Sequence, residues 1–316
     1  MITKSEALAC CAQHFPDGPE ELAEHLSIPV IREVFKGSDG WCLRYRKQAT
    51  ITLNSTSPRA RQRFTLAHEL AHIVLDTKND VLPAGAGAFC ADTKEERQAN
   101  SLAAEFLLPL AELRRLVTGL PVDIIALGRI AKKANVSSLM AACRVAGLAK
   151  RLGLINGAVV GFQGNKYRWK WSSTLNFSKD EALQVWREAK DAAPQLYRKK
   201  QADGNVVCVS YLPGVGFSAI FVQLLPRDVA TEPTIGEQLQ DLEAWLFGDD
   251  PKFRPSLAGS FGWFSDQKAR GMSPEEAAGA FLTHYHDKWR AQRARKMSDP
   301  RAFEWLRLKF TIVSPA

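Results

Sequence analysis

The stretch Arg61-Gln62-Arg63-Phe64-Thr65-Leu66-Ala67-His68-Glu69-Leu70-Ala71-His72 reads as helix, with two histidines one turn apart. Side chains four apart on a helix point the same way, so His68 and His72 can each offer an imidazole nitrogen to one cation. Zinc takes imidazole at about 2.0–2.1 Å and tolerates a fourth position open to water. Glu69 lies about 100° round the helix from His68, which leaves its carboxylate beside that water rather than on the metal. A cation there lowers the water's pKa and polarises a peptide carbonyl. Glu69 is placed to take the proton and return it to the leaving amine. The spacing points to metal-dependent peptide hydrolysis, with His68 and His72 as ligands and Glu69 as catalytic base. Phe64, Ala67, Ala71, Val74 and Leu75 form an apolar stripe on this helix, with the histidines at its border between core and cleft.

A catalytic zinc site needs a third protein ligand. The metzincin extension would require glycine at 75 and histidine at 78; the chain has Leu75 and Lys78, which excludes that class. The next helix offers Glu95, Glu96 and Glu105. Its apolar stripe is Ala99, Leu102, Ala103, Phe106 and Leu107. Glu105 points away from it, whereas Glu95 and Glu96 both border it, so helix geometry leaves these two open. Asn100 follows Glu96 by one turn on the same side, where its amide can orient a ligating side chain.

Arg61 to His72, followed by Glu96-Arg97-Gln98-Ala99-Asn100 and Ala103-Ala104-Glu105-Phe106-Leu107-Leu108-Pro109, closely resembles the ImmA/IrrE metallopeptidases. In that family the glutamate four before the asparagine is the third ligand, which implies Glu96. The hairpin carrying Gly40-Trp41-Cys42 and Ile51-Thr52-Leu53-Asn54 also looks like the family, as does the helical stretch from Val136-Ser137 to Arg151-Leu152-Gly153-Leu154. Ala71 stands where the family commonly has glycine, a harmless departure inside a helix. The resemblance covers about the first 155 residues. It implies a zinc enzyme, with manganese as a substitute, that cuts a DNA-binding repressor, often of the helix-turn-helix type.

Outward from the motif, Glu20 to Leu26 reads as helix after Asp17-Gly18-Pro19, and Trp41 to Tyr45 with Ala49 to Leu53 as a hairpin. Ser57 is the expected cap of the motif helix, Pro58 to Leu75, with the proline at its first position. A glycine-rich loop at 83–87 follows. Asp92 with Glu95 has the spacing of a capping box opening the second helix, which stops at Pro109. Leu110 to Leu154 reads as helical, and Ile124 to Ala134, Asn135 and a restart at Ser137 outline a helix-turn-helix. Arg129, Lys132, Lys133, Arg144, Lys150 and Arg151 there are compatible with DNA contact; two helices packed beside the catalytic pair would look the same. Beyond Gly153, strands at Ala158–Phe162, Lys166–Trp171, Val206–Tyr211 and Ser218–Leu224, with a helix from Lys179 to Lys190, form a small α+β module. Ile235–Phe247, Pro274–Ala294 and Ala302–Lys309 read as a helical tail.

The expected fold is therefore α+β, with three regions. Residues 1–155 form a mostly helical zincin-like peptidase domain with a small N-terminal β-sheet and the helix-turn-helix-like segment at about 121–154. Residues 156–230 are the α+β module, whose role the sequence leaves open, and 231–316 the helical region. At 316 residues, 46% apolar and 24% charged, the chain is an ordinary globular protein and not a disordered one. No apolar run reaches bilayer length, and the N-terminus has no secretory pattern, so a cytoplasmic protein is expected. The six cysteines lack paired metal-ligand spacing and read as reduced, mostly buried thiols. The net charge of +8 is diffuse, densest from Lys288 to Lys309, where a solvated helix face explains it better than nucleic acid does. His284 and His286, two apart, do not share a helix face and read as structural. The rival to a peptidase is a binding protein. In it the metal pair is a scaffold, and the helix-turn-helix segment or basic tail grips DNA or a repressor without cutting.

Overall fold

The structure is a computed structural model that describes residues 2–45, 48–77, 93–172, 178–193, 195–214, 217–250, 252–285, 288–289 and 291–313. The glycine-rich loop at 83–87, Cys90, Asp92 and His286 lie outside these. The chain opens with α1 (Lys4–Gln13), started by a capping box between Thr3 and Glu6, and α2 (Gly18–His25). A three-stranded sheet follows: β1 (Val30–Glu33), β2 (Gly40–Tyr45) and β3 (Gln48–Asn54), ordered β1-β3-β2 with β1 parallel and β2 antiparallel to β3. The hairpin is as expected from the sequence, and β1 adds a strand to its far side. The motif helix α3 (Arg59–Val74) crosses beneath this sheet, and α4 (Lys94–Leu107) packs along it. At Gly40 an added Cβ would lie 2.6 Å from the Thr65 side chain of α3, so glycine lets β2 sit directly on the motif helix.

Two helix starts differ from expectation. Pro58, not Ser57, is the N-cap of α3. The Ser57 hydroxyl instead donates to Asp39 Oδ1 at 2.9 Å, in the turn before β2. Helix α4 is capped by Thr93, whose hydroxyl accepts from the Glu96 N–H at 3.2 Å. Helix α3 also departs from a half-buried amphipathic helix, since every residue from Arg63 to His72 is buried. The sheet covers one side and α2 and α4 cover others, so a polar residue on this helix is costly without a partner. Arg63 is such a case. Its guanidinium donates to the carbonyls of Pro16, Ala134 and Asn135 and pairs with Glu20 at 2.9 Å.

Beyond α4 come α5 (Leu110–Leu116), α6 (Ile124–Ala134) and α7 (Ser138–Gly147). The turn between α6 and α7 has the expected form: Asn135 is left-handed at φ 51° and the Ser137 hydroxyl caps α7. Helix α7 is buried continuously from Met140 to Ala146, leaving no free face to enter a groove. Arg129 donates to the Leu116 carbonyl at 2.6 Å and Arg144 to the Leu108 carbonyl at 3.0 Å, so both point inward. The helix pair belongs to the core around the motif.

The second sheet is formed by β4 (Asn156–Gln163), β5 (Lys166–Ser172), β6 (Tyr197–Lys200), β7 (Val206–Leu212) and β8 (Ser218–Leu225), ordered β5-β4-β8-β7-β6 and antiparallel throughout, with α8 (Lys179–Ala192) between β5 and β6. Strict alternation gives it two apolar faces. Ala158, Val160, Phe162, Ile220 and Val222 meet Val185 and Trp186 of α8. Val159, Cys208, Ala219 and Phe221 join the core of the first 154 residues, so packing continues across residue 155. Gln223, fully buried, seals the join: it donates to the Val122 carbonyl at 2.7 Å and accepts the Val122 N–H at 2.8 Å. Replacing Gln223 with leucine orphans the buried Val122 N–H and leaves its carbonyl with the Ser210 hydroxyl at 3.3 Å. Urea unfolding of Gln223→Leu is expected to show a loss of about 1–3 kcal/mol.

A short α9 (Arg227–Ala230) leads to the tail: α10 (Ile235–Phe247), α11 (Phe253–Gln267), α12 (Pro274–Tyr285), α13 (Ala291–Met297) and α14 (Pro300–Val313). The expected helix from Pro274 to Ala294 is thus two helices, and α11 is an additional one. These helices share a separate core rich in aromatic rings, including Phe253, Phe281, Trp305 and Phe310. The basic stretch is largely ion-paired: Arg293 with Asp250, Lys296 with Asp249, Arg301 with Asp299, Arg307 with Glu304 and Lys309 with Glu243. His284 stacks on Trp263. Among the described residues no helix is long and apolar enough to cross a membrane. Cys11, Cys42, Cys143 and Cys208 are buried free thiols, and Cys10 is half-buried.

Candidate metal centre

Helix α3 and helix α4 bring His68, His72 and Glu96 together, the one group of potential metal donors found among the described residues. The two Nε2 atoms are 3.1 Å apart. Glu96 Oε2 lies 3.3 Å from His68 Nε2, and Oε1 lies 3.2 Å from His72 Nε2. Glu95, which the sequence left level with Glu96, is exposed, and Glu105 faces Arg144 at 3.6 Å instead. The local reason is the cap: Thr93 starts α4 so that Glu96 is its third residue, and the carboxylate turns to the histidines instead of back to the cap.

The tautomers follow from the outer hydrogen bonds. Asn100 Oδ1 is 2.9 Å from His68 Nδ1, so that nitrogen carries the proton. Thr77 Oγ1 is 2.8 Å from His72 Nδ1, and its own hydroxyl is within 3.3 Å of the His72 carbonyl, to which it donates. It therefore accepts from the His72 N–H. Both Nε2 lone pairs are left facing one another, with a carboxylate oxygen beside each. Without a cation between them this arrangement is repulsive. Donors at ~2.05 Å from one tetrahedral ion are separated by ~3.3 Å, which the observed donor spacings match closely. The residues present fit a metal ion.

Thr77 is the site residue that sequence reasoning missed. It is delivered by the end of α3, where Asp76 is left-handed at φ 49°, the Asp76 N–H meets the Ile73 carbonyl and the Thr77 N–H meets the His72 carbonyl. This paired closure folds the chain back over the last ligand. The signal was the short polar Asp76 directly after the apolar Leu75, a residue type that tolerates this conformation. Arg44 of β2 then clamps the turn by donating to the Thr77 carbonyl at 2.9 Å. A Thr77→Val variant is expected to bind metal about 10–100-fold more weakly, as read by competition with a chromogenic chelator.

Glu69 sits beside the pair, only 4% exposed. Burial pushes its carboxyl up to about 7, with Glu96 adding to the rise and His68 and Arg44 opposing it. A cation held by the histidines favours the charged form and draws that value down again. Burial pushes the His72 imidazole down to about 4, and its neighbour His68 adds to that, so His72 keeps its lone pair free at neutral pH. The His68 imidazole beside it holds Glu96 below the usual carboxylate range. The site thus offers a His72 imidazole with its lone pair free, an ionised Glu96 carboxylate and a second, buried carboxylate poised near neutrality.

Residues 23–146, which contain all of these groups, match the family described as Peptidase_M78, IrrE N-terminal-like domain. This segment belongs to the IrrE N-terminal-like family. The family is of metallopeptidase type, and the IrrE-like domain spans the three-stranded sheet, α3, α4 and the buried α6–α7 pair. A solved structure described as a Mycobacterium tuberculosis transcriptional regulator is similar at a TM-score of 0.48 and 14% identity, over 69% of this chain and 74% of that one. No curated protein matches the chain.

Proposed function

We propose that this chain is a zinc-dependent endopeptidase that hydrolyses a peptide bond in a regulatory protein, a helix-turn-helix transcriptional repressor. The observation that carries the peptidase reading is the donor triangle of His68, His72 and Glu96 with the buried Glu69 carboxylate electrostatically coupled to His68 and Glu96. Two imidazoles and one carboxylate are a donor set that suits zinc and leaves a position open, with manganese as a substitute. Zinc held there supplies a Lewis acid that acidifies water and polarises a carbonyl. Glu69 takes the water's proton and carries it to the leaving amine. Asn100 and Thr77 hold the two imidazoles in the tautomer that presents Nε2.

A peptide substrate is supported by β2. It is an edge strand of its sheet, Leu43 on it is 55% exposed, and the charge of its Arg44 acts on Glu69. An extended peptide can pair with such an edge and pass over the metal centre. The choice of a repressor as substrate rests on the resemblance of the motif helices to the ImmA/IrrE metallopeptidases. The protein is placed in the cytoplasm on the same reading.

The test is incubation of the purified zinc- or manganese-loaded chain with candidate helix-turn-helix repressors, with and without chelator. Discrete fragments that disappear with chelator support the proposal. An intact repressor, together with a salt-sensitive DNA shift by the chain itself, would favour the binding-protein alternative.

A further inference from the structure

Beside the metal centre, on the side of α3 towards its N-terminus, a cavity of about 470 Å³ opens between α4, α7 and β5. It shares two walls with the site. Asn100 lines it while holding His68 Nδ1, and Phe64 lines it while its ring stacks 6.3 Å from the His68 ring. The rest of the wall is mostly apolar, with Met140, Leu148 and Trp171 among its residues.

Its charged groups are Arg144, Arg151 and Glu105, two guanidinium ions against one carboxylate. Arg144 is only 8% exposed, and its Nε is satisfied by the Leu108 carbonyl at 3.0 Å. Its Nη2 is buried in an ion pair with Glu105 Oε1 at 3.6 Å, a distance too long for a good hydrogen bond. A buried guanidinium held so loosely has donor capacity left over, and Arg144 is part of the cavity wall. Arg151 is exposed and adds a second positive charge to the lining.

We infer that this cavity is a specificity pocket that receives an acidic side chain, glutamate or aspartate, of the peptide bound at the metal centre. The inference rests on the endopeptidase reading. Phe64 is one turn from His68, about 6 Å along the helix, and each residue of an extended peptide spans about 3.3 Å. The residue served is therefore within one or two positions of the scissile bond. The apolar walls cover its methylene groups, the Arg144 guanidinium donates to its carboxylate in exchange for Glu105, and Arg151 draws the charge in. Glu105 sets a limit on longer or doubly charged groups by repulsion.

The test uses binding, so that it does not depend on turnover. A soluble library of randomised decapeptides is captured on immobilised, zinc-loaded Glu69→Gln protein, and the retained peptides are sequenced. Acidic residues are expected to be enriched about tenfold at one position, the size of one charge-assisted hydrogen bond. Adding Arg151→Glu, a surface change checked by an unaltered melting curve, should abolish that enrichment. Adding Arg144→Lys, which keeps charge but loses the planar fork, should reduce it. Capture without acidic enrichment, enrichment that Arg151→Glu leaves intact, or no capture at all overturns the pocket. The peptidase reading is judged separately by chelator-sensitive fragments of the repressor, so the two can fail independently.

Discussion

A Glu69→Gln variant hydrolyses the substrate peptide bond about 10²–10⁴-fold more slowly than the parent chain, and it still binds its metal. The amide keeps the size of the carboxylate, and the donors His68, His72 and Glu96 are untouched, so the three short spacings persist. What is lost is the group that accepts a proton and then gives it up. The corresponding barrier increase is about 3–5 kcal/mol. Because Glu69 is buried with its carboxyl raised, the amide also removes a group that is costly to ionise there, and the metal-free fold should be no less stable than the parent. Metal content by atomic emission and fragment formation on a gel check both halves of the prediction. A variant that still cuts at the parent rate would remove Glu69 from the mechanism.

The second large effect is expected at Glu96. Glu96→Ala deletes the one donor of the triangle that comes from α4, and the two imidazoles left behind are a pair, not a site. Metal affinity should fall by more than the about 10–100-fold that loss of an orienting partner costs, and peptide hydrolysis should fall with it. His68→Ala is expected to behave the same way. Glu95→Ala, at an exposed position one residue away, should change neither. Equilibrium dialysis against zinc separates the outcomes. If Glu95→Ala rather than Glu96→Ala releases the metal, the arrangement of α4 described above is wrong. The contrast with Glu69→Gln matters: one variant keeps metal and loses chemistry, the other loses both.

These residues were unequally legible in the sequence. His68, Glu69 and His72 lie within five consecutive positions, and the fixed rotation per residue of a helix determines their relation before anything else is known. Glu96 was one of two level choices by helix geometry, and only the family resemblance favoured it. The pairing depends on how α4 is rotated against α3, a property of the packing between two helices. Thr77, Arg44 and the Arg144 pocket were not legible. Each acts across a contact between elements far apart in the chain, and their side chains are ordinary ones for a helix end, an edge strand and a helix.

Polar residues on buried helices left two readings open in the sequence. Arg129 and Arg144 carry the charge and spacing of a DNA-contacting helix pair, yet both are inside and hold backbone carbonyls. A sequence pattern reports charge, whereas direction depends on whether a long side chain can find carbonyls to satisfy inside. The same physics misled the reading of α3, whose polar residues suggested an open face. Arg63, Thr65, His68, Glu69 and His72 are all buried.

The sequence by itself determined the local part of this protein: the helix that carries two donors and a base, the caps and turns around it, and the strands with alternating faces. Those follow from backbone periodicity and from residues that satisfy their own neighbours. Tertiary structure alone decided which glutamate completes the donor triangle, which hydroxyl holds His72, which way the arginines of the helix pair point, and how a second sheet closes the core. Those depend on contacts between distant segments, whose geometry is set by close packing of a whole core and not by any one stretch of chain.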